Sequence, residues 1–329
     1  MSSRRQVLRA TLAAGAYTAG VTAPCLAAGE GYPDKPIRLV VPFPPGGIAD
    51  LIARSLASHA QQEMGQPVIV DNRGGASGVI ATDLVAKSPA DGHTVLLAAI
   101  GQAVVNKHLF KKLPYDPNTA LAPVSLIAQG PNVLVVNASS PYGSVADLLA
   151  AARKTPQALT FGTYGNGSSP HLQAALLMQR TGALFTHIPY KGSAPAMNEL
   201  LGGQTTFMFD SLITSLQHIR AGKLRALAVT APKRSALLPN VSTFAEQGIT
   251  DFNFLAWYGI HVPGGTPAKV IERLEKEIDA FAHAPAIAKQ FADQGLELVS
   301  SSSASYAQFL TQQDKIWGAV IQEARISVD

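Results

Sequence analysis

The chain has 329 residues, 47% of them hydrophobic and 15% charged, with a formal net charge of +4 and one cysteine. That length and apolar content can bury a sizeable core and exclude a disordered tail. Arg4, Arg5 and Arg9 lie in a leading stretch without acids, so removing it takes +4 to +1, and the basic balance does not support nucleic-acid binding.

Residues 1–28 read as an export signal: a charged run Ser3-Arg4-Arg5-Gln6-Val7-Leu8-Arg9, an apolar run from Ala10 to Val21, and the small-residue stretch Cys25-Leu26-Ala27-Ala28. The paired arginines fit a twin-arginine leader, with an ordinary secretory signal as the alternative and cleavage after Ala27 or Ala28. Cys25 belongs to the leader, and Pro24 makes its context a poor lipid-attachment signal. The mature chain is then expected to hold no thiol, disulfide or thiolate metal ligand. No later apolar run reaches the roughly 18 residues a membrane span needs.

The spacing predicts a buried strand over Ile37–Phe43, a Pro44-Pro45-Gly46-Gly47 elbow, and a helix with Ile48, Leu51, Ile52 and Leu56 on one face. Glycine permits close backbone approach there, so the free N–H groups of the first helical turn form a ready anion site, unless the elbow only turns the chain. A strand over Pro67–Asp71 runs into a glycine-rich loop, 72–78, before a helix through Leu84 and Val85. A third strand, Thr94–Ala99, ends in Ile100-Gly101-Gln102. Three strand ends thus deliver small or polar residues to one sheet edge, where open α/β folds bind ligands.

Residues 115–123 read as a surface connection, and Leu121–Val136 as two strand-like runs broken at Gln129-Gly130-Pro131, where the first crossing between lobes is placed. After a helix over Asp147–Lys154, the strand Leu159–Gly162 enters Thr163-Tyr164-Gly165-Asn166-Gly167-Ser168-Ser169. Pro170 then opens a helix with a serine cap, a second version of the first elbow. There follow a strand Phe185–Tyr190, a helix Ser193–Leu201, a strand Thr206–Asp210 ending on a carboxylate, and a helix closed by Gly222. A strand Leu224–Val229 and a loop over 232–239 come next. Asn253–Val262 returns the chain. Thr266 is read as cap and Pro267 as first turn of a helix striped by Ile271, Leu274, Ile278 and Phe281, and a last helix covers about Ser305–Ala324. The alternation defines an α/β fold with mainly parallel sheets.

Motifs for phosphate loops, zinc proteases, nucleophile elbows and redox cysteine pairs are missing from the sequence, so no catalytic residue is assigned. Gly165-Asn166-Gly167 begins like a dinucleotide fingerprint, but Pro170 holds the third glycine's place. The histidines show no metal-ligand spacing, and neither cofactor nor metal is expected. Ser168 or Ser169 caps a helix and can also meet a ligand carboxylate. Asp50 is read as a helix-dipole partner, and Asp210 as either a ligand contact or a structural carboxylate. Trp257 and Tyr258 are read as hinge packing, Lys191 and Arg225 as solvated cations able to steer an anion.

The stretches Y-P-D-K-P-I-R-L-V-V-P-F-P-P-G-G-I-A-D at 32–50, V-D-N-R-G-G-A-S-G at 70–78, A-D-G-H-T-V-L-L at 90–97, H-I-P-Y-K-G-S-A-P-A at 187–196 and G-K-L-R-A-L-A-V-T at 222–230 closely resemble one family. It is the tripartite tricarboxylate transporter receptors, the Bug or TctC-type periplasmic solute-binding proteins. The resemblance implies a type II periplasmic binding protein fold of two lobes joined by crossover strands, with lobe one over 29–130 plus 254–329 and lobe two over 131–253. It also implies a monomeric periplasmic receptor for a small organic carboxylate or related compound, working with membrane permease subunits or a sensor kinase. An extracytoplasmic enzyme on the same fold is the remaining alternative. Carried over by resemblance, the ligand-binding positions are Phe43, Gly46, Gly47, Ala76, Ser77 and Gln102 in one jaw, and Thr163, Tyr164, Gly165, Ser168, Ser169 and Asp210 in the other. Gln102, Tyr164 and Asn166 depart from the commoner family residues, as does Arg73-Gly74-Gly75.

Overall fold

The computed structural model describes residues 31–324 and residue 326. The leader read over 1–28, with Cys25, lies outside them. The first run forms β1 (Ile37–Val41), buried on both faces as an inner parallel strand requires. It feeds α1 (Ile48–Met64), which Gly65 closes in the left-handed conformation. β2 (Val68–Asn72), α2 (Val79–Ala86) and β3 (Thr94–Ala99) follow; a π-helical turn, Gly101–Val105, then continues into the short α3 (Asn106–Leu109) and leads to β4 (Leu121–Asn137).

Beyond β4 the chain alternates through α4 (Val145–Lys154), β5 (Thr160–Thr163), α5 (Ser169–Thr181), β6 (Thr186–Pro189), α6 (Ser193–Leu201), β7 (Phe207–Ser211), α7 (Leu212–Arg220) and β8 (Leu224–Val229). It returns on β9 (Leu255–Pro263) and finishes with α8 (Ala268–His283), α9 (Pro285–Ala292), β10 (Glu297–Leu298) and α10 (Ser303–Glu323). The strands run in the order β2-β1-β3-β9-β4-β7-β5-β6, with β8 and β10 also paired to β4. β1 is parallel to β2 and β3, and β5 to β6 and β7, while β4 and β9 run antiparallel to their neighbours. Two α/β lobes result, joined through the long strands β4 and β9.

The break expected at Gln129-Gly130-Pro131 does not occur, because β4 runs unbroken through it. Up to Gln129 the strand lies between β9 and β10, and from Asn132 onward between β7 and β8. Proline, which has no N–H to donate, is tolerated at such an exchange of neighbours. The cap reading of Thr266 is also corrected: its hydroxyl donates to the Pro263 carbonyl at 2.7 Å, and Pro267 holds the cap position of α8. The elements α3, α9 and β10 are too short to leave a clear period in the sequence.

Two main cores fix the lobes. Leu39, Ile52, Leu97, Ile260 and Phe281 pack in one. Phe161, Phe207, Phe209, Phe244 and Phe252 pack in the other, which also takes Tyr306 and Trp317 of α10.

Candidate functional site

The elbow after β1 is held from within. Gly46 has φ +88°, a conformation that favours glycine, and its N–H donates to the Asp50 carboxylate at 3.0 Å. Asp50 also accepts from Asn72 Nδ2 at 3.1 Å and Arg54 Nε at 2.9 Å. Burial acts to raise the Asp50 pKa, but the Arg54, Gly46 and Asn72 bonds outweigh it and hold the carboxyl below its ordinary value. Gly46 therefore braces the elbow rather than facing the crevice, and the first-turn amides beyond Gly47 remain without intrahelical acceptors.

The loop before α2 is left-handed over four successive residues, Gly75, Ala76, Ser77 and Gly78, with φ of +118°, +46°, +53° and +83°. Such strain in alanine and serine persists only where neighbours impose it. Here Gln102 Nε2 and Asn106 Nδ2 both donate to the Ser77 carbonyl, at 2.9 and 3.1 Å, while Gln102 Oε1 accepts from the Ala99 N–H at 3.1 Å. Gly78 makes room for this clamp, since a Cβ there would stand 2.4 Å from Gln102 Nε2.

The third loop, between β5 and α5, rests on two stacked imidazoles. The His171 and His187 rings are 4.0 Å apart and within 11° of parallel. His187 Nε2 is 2.7 Å from Thr163 Oγ1, which accepts from the Gly165 N–H at 3.2 Å, and His171 Nδ1 accepts from the Gly167 N–H at 3.1 Å. Burial pushes the two pKa values down to about 4 and about 3, so both rings are neutral acceptors or donors at neutral pH. Ser168 holds the cap position of α5, but its hydroxyl donates backward to the Gly165 carbonyl at 2.6 Å instead of accepting from the helix.

These loops meet at a crevice of about 800 Å3, a volume that includes its open mouth. Phe43, Ala76, Ser77 and Gln102 line it from the β1–β3 side, and Tyr164, Gly165, Ser168 and Ser169 from the β5 side. Gly47 lines an adjoining hollow that shares Phe43, Tyr164 and Tyr258 with the crevice. Three of the expected contacts do not line it: Gly46 is exposed on the elbow, and Thr163 and Asp210 stand behind the wall. Thr163 and Asp210 are fully buried, and their side chains are committed to other protein groups.

Asp210 is a support for Tyr164. It accepts the Tyr164 hydroxyl, with Thr214 Oγ1 at 2.6 Å and Ser215 Oγ at 2.5 Å on its other oxygen, while Tyr164 Oη accepts from the Ser211 N–H at 3.1 Å. Burial raises the carboxyl pKa, and the converging hydroxyls oppose it. Reading Trp257 and Tyr258 as hinge packing alone is incomplete, because both are buried in β9 and also line the crevice. Tyr190 and Lys191 join the wall from the end of β6. Arg225 does not: its guanidinium donates to the carbonyls of Ala138, Ser140 and Tyr142. Among the described residues, no group of side chains is arranged to hold a metal ion.

A two-lobed α/β protein with backbone loops from both lobes converging on one crevice is a solute-binding protein of the periplasmic type. Residues 52–326 match the tripartite tricarboxylate transporter family receptor, and the chain belongs to that family. It is similar to BugT of Bordetella pertussis, 40% identical over 307 residues that cover 93% of this chain and 94% of BugT. Among solved structures, it resembles Rpa4515 of R. palustris with adipate, at TM-score 0.85 and 35% identity over 89% of this chain and 98% of that one. It also resembles MatC of Rhodopseudomonas palustris with bound malate, at TM-score 0.84 and 27% identity over 88% of this chain and all (100%) of MatC. The periplasmic binding protein BugD has TM-score 0.85 and 33% identity, over 90% of this chain and 99% of BugD. The chain is thus a solute-binding receptor and not an enzyme.

Proposed function

We propose that the protein is an exported periplasmic receptor that captures a small organic carboxylate between lobe one, 29–130 plus 254–329, and lobe two, 131–253. It hands the ligand to the membrane subunits of a tripartite tricarboxylate-type transporter, acting as a monomer. The observation that carries this reading is the convergence of the α1 elbow, the left-handed 75–78 loop and the α5 elbow on one crevice and its adjoining hollow. Helix N-termini present unpaired N–H groups and positive dipole ends, and ordered water can bridge them to a carboxylate with little loss of enthalpy. The adipate and malate in two similar structures support the same ligand class. Among the described residues, no helix is long and apolar enough to cross a membrane.

The test is a thermal-shift and calorimetry panel of mono-, di- and tricarboxylates, amino acids and amides on protein unfolded and refolded to strip any ligand. A binder at a hundred times its Kd should stabilise the fold by about 2.7 kcal/mol. A panel in which amides or amines bind and every carboxylate fails overturns the assignment. Capture of a permease subunit from membranes supports delivery; capture of a sensor kinase alone replaces it with signalling.

A further inference from the structure

We infer that the ligand is a carboxylate with an aromatic body, held by one charged end; this rests on the receptor reading above and narrows it. Five rings line the crevice: Phe43 and Tyr164 from its two sides, Tyr190 beside Lys191, and Trp257 and Tyr258 from β9. Two of the polar handles on those rings point away from the space. The Tyr164 hydroxyl is spent on Asp210 and the Ser211 N–H, and the Trp257 indole N–H donates to Gln313 Oε1 of α10 at 3.2 Å. Both polar atoms are therefore satisfied within the protein and need nothing from a ligand.

Two of the polar side chains in the wall are also spent within the protein. Gln102 is bonded through Nε2 to Ser77 and through Oε1 to Ala99, and the Ser168 hydroxyl donates to Gly165. Among the described residues lining the crevice, Lys191 is the one charged side chain, with no arginine and no carboxylate beside it. A citrate or malate placed here would take several carboxylate and hydroxyl groups out of water against aromatic walls, with one side-chain cation to balance their charge. An aromatic acid needs one anion site, supplied by Lys191 and the first-turn amides of α5. Its ring gains offset or edge-on contacts with Phe43, Tyr164 and Trp257.

The experiment is isothermal calorimetry of refolded protein with benzoate, phenylacetate and cinnamate against malate, citrate and adipate. At least one aromatic acid is expected to bind tenfold or more tighter than every aliphatic acid. Phe43→Ala, checked for folding by circular dichroism, is expected to weaken that acid about tenfold, and by a larger factor than it weakens the aliphatic acids. Malate, citrate or adipate binding as tightly as the best aromatic acid overturns the inference and leaves the receptor reading standing. Silence from all six also overturns it; the receptor reading falls only if the wider carboxylate panel is silent too.

Discussion

Gly47 and Ser193 approach so closely that a Cβ on residue 47 would stand 2.7 Å from the Ser193 hydroxyl oxygen. One belongs to the elbow after β1 and the other to the start of α6, so the contact spans the two sides of the crevice. Gly47 has φ −91°, which alanine adopts without strain, so the effect of Gly47→Ala is purely steric and acts on closure. The variant should lose about tenfold in ligand affinity, about 1.4 kcal/mol, with the melting temperature of ligand-free protein unchanged. Adding Ser193→Ala should restore binding. Calorimetry and solution scattering with ligand measure both, and an unaltered affinity in Gly47→Ala would show that the lobes close without this contact.

Asp210 never touches the crevice, yet its removal should weaken binding. Asp210→Ala leaves the hydroxyls of Tyr164, Thr214 and Ser215 without their shared acceptor in a fully buried site. A cost of about 3 kcal/mol in urea unfolding is expected, with loss of affinity because the Tyr164 ring is no longer fixed. Tyr164→Phe leaves the Ser211 N–H unpaired, for about 1 kcal/mol. An Asp210→Ala protein as stable as the parent would contradict this account of the cluster.

How far such roles can be read without coordinates depends on whether alternation survives. The elbows at 44–47 and 165–168 were legible because glycine between a strand-like and a helix-like run has few other uses. The expected strand Thr94–Ala99 and helix Ser193–Leu201 match β3 and α6 in their bounds, because each is a short apolar run set off by polar or glycine neighbours. The side-chain direction of Asp210 was not legible: all five residues of β7 are buried, so no polar-apolar alternation marks which face it points to. Trp257 and Tyr258 sit in the same kind of buried run, and only the folded chain brings both to the crevice. The continuity of β4 through Pro131 was hidden because proline normally ends a ladder, and only the exchange of neighbouring strands makes it tolerable.

The stacked histidines under the α5 elbow give the protein an acid limit. His171 and His187 have folded pKa values near 4 and 3, below the 6.5 of an unfolded histidine. Between those values the unfolded chain binds protons that the folded one refuses. The stability present above pH 6.5 is therefore lost as pH falls, by about 1.4 kcal/mol per pH unit for each proton taken up. His261, pushed down to about 4 by burial, adds to the loss. Asp210 and Glu277, whose pKa values burial raises, act in the opposite direction at the lower end of the window. The urea midpoint should fall steadily from pH 6.5 to 4, with a shallower fall in His187→Phe; a flat profile would mean that the histidines take up protons in the native state.

Gly259 lies in β9 between β3 and β4, beneath the fully buried ring of Tyr306. A Cβ on residue 259 would stand 2.0 Å from the Tyr306 hydroxyl oxygen and 2.3 Å from the carbon that bears it. The ring cannot swing aside, because Trp257, His261 and Phe309 surround it with ring centroids 5.3 to 6.3 Å away. Overpacking of this kind forces strand or ring to shift, and Gly259→Ala should cost about 3 kcal/mol in urea unfolding. Tyr306→Phe alone should be close to neutral, since the hydroxyl it removes has no hydrogen-bond partner among the described residues. It should not rescue Gly259→Ala, because the ring carbon stays in the way, whereas Tyr306→Leu shortens the side chain and should recover part of the loss. Equal stability of Gly259→Ala and the parent would mean that α10 is free to lift away from β9.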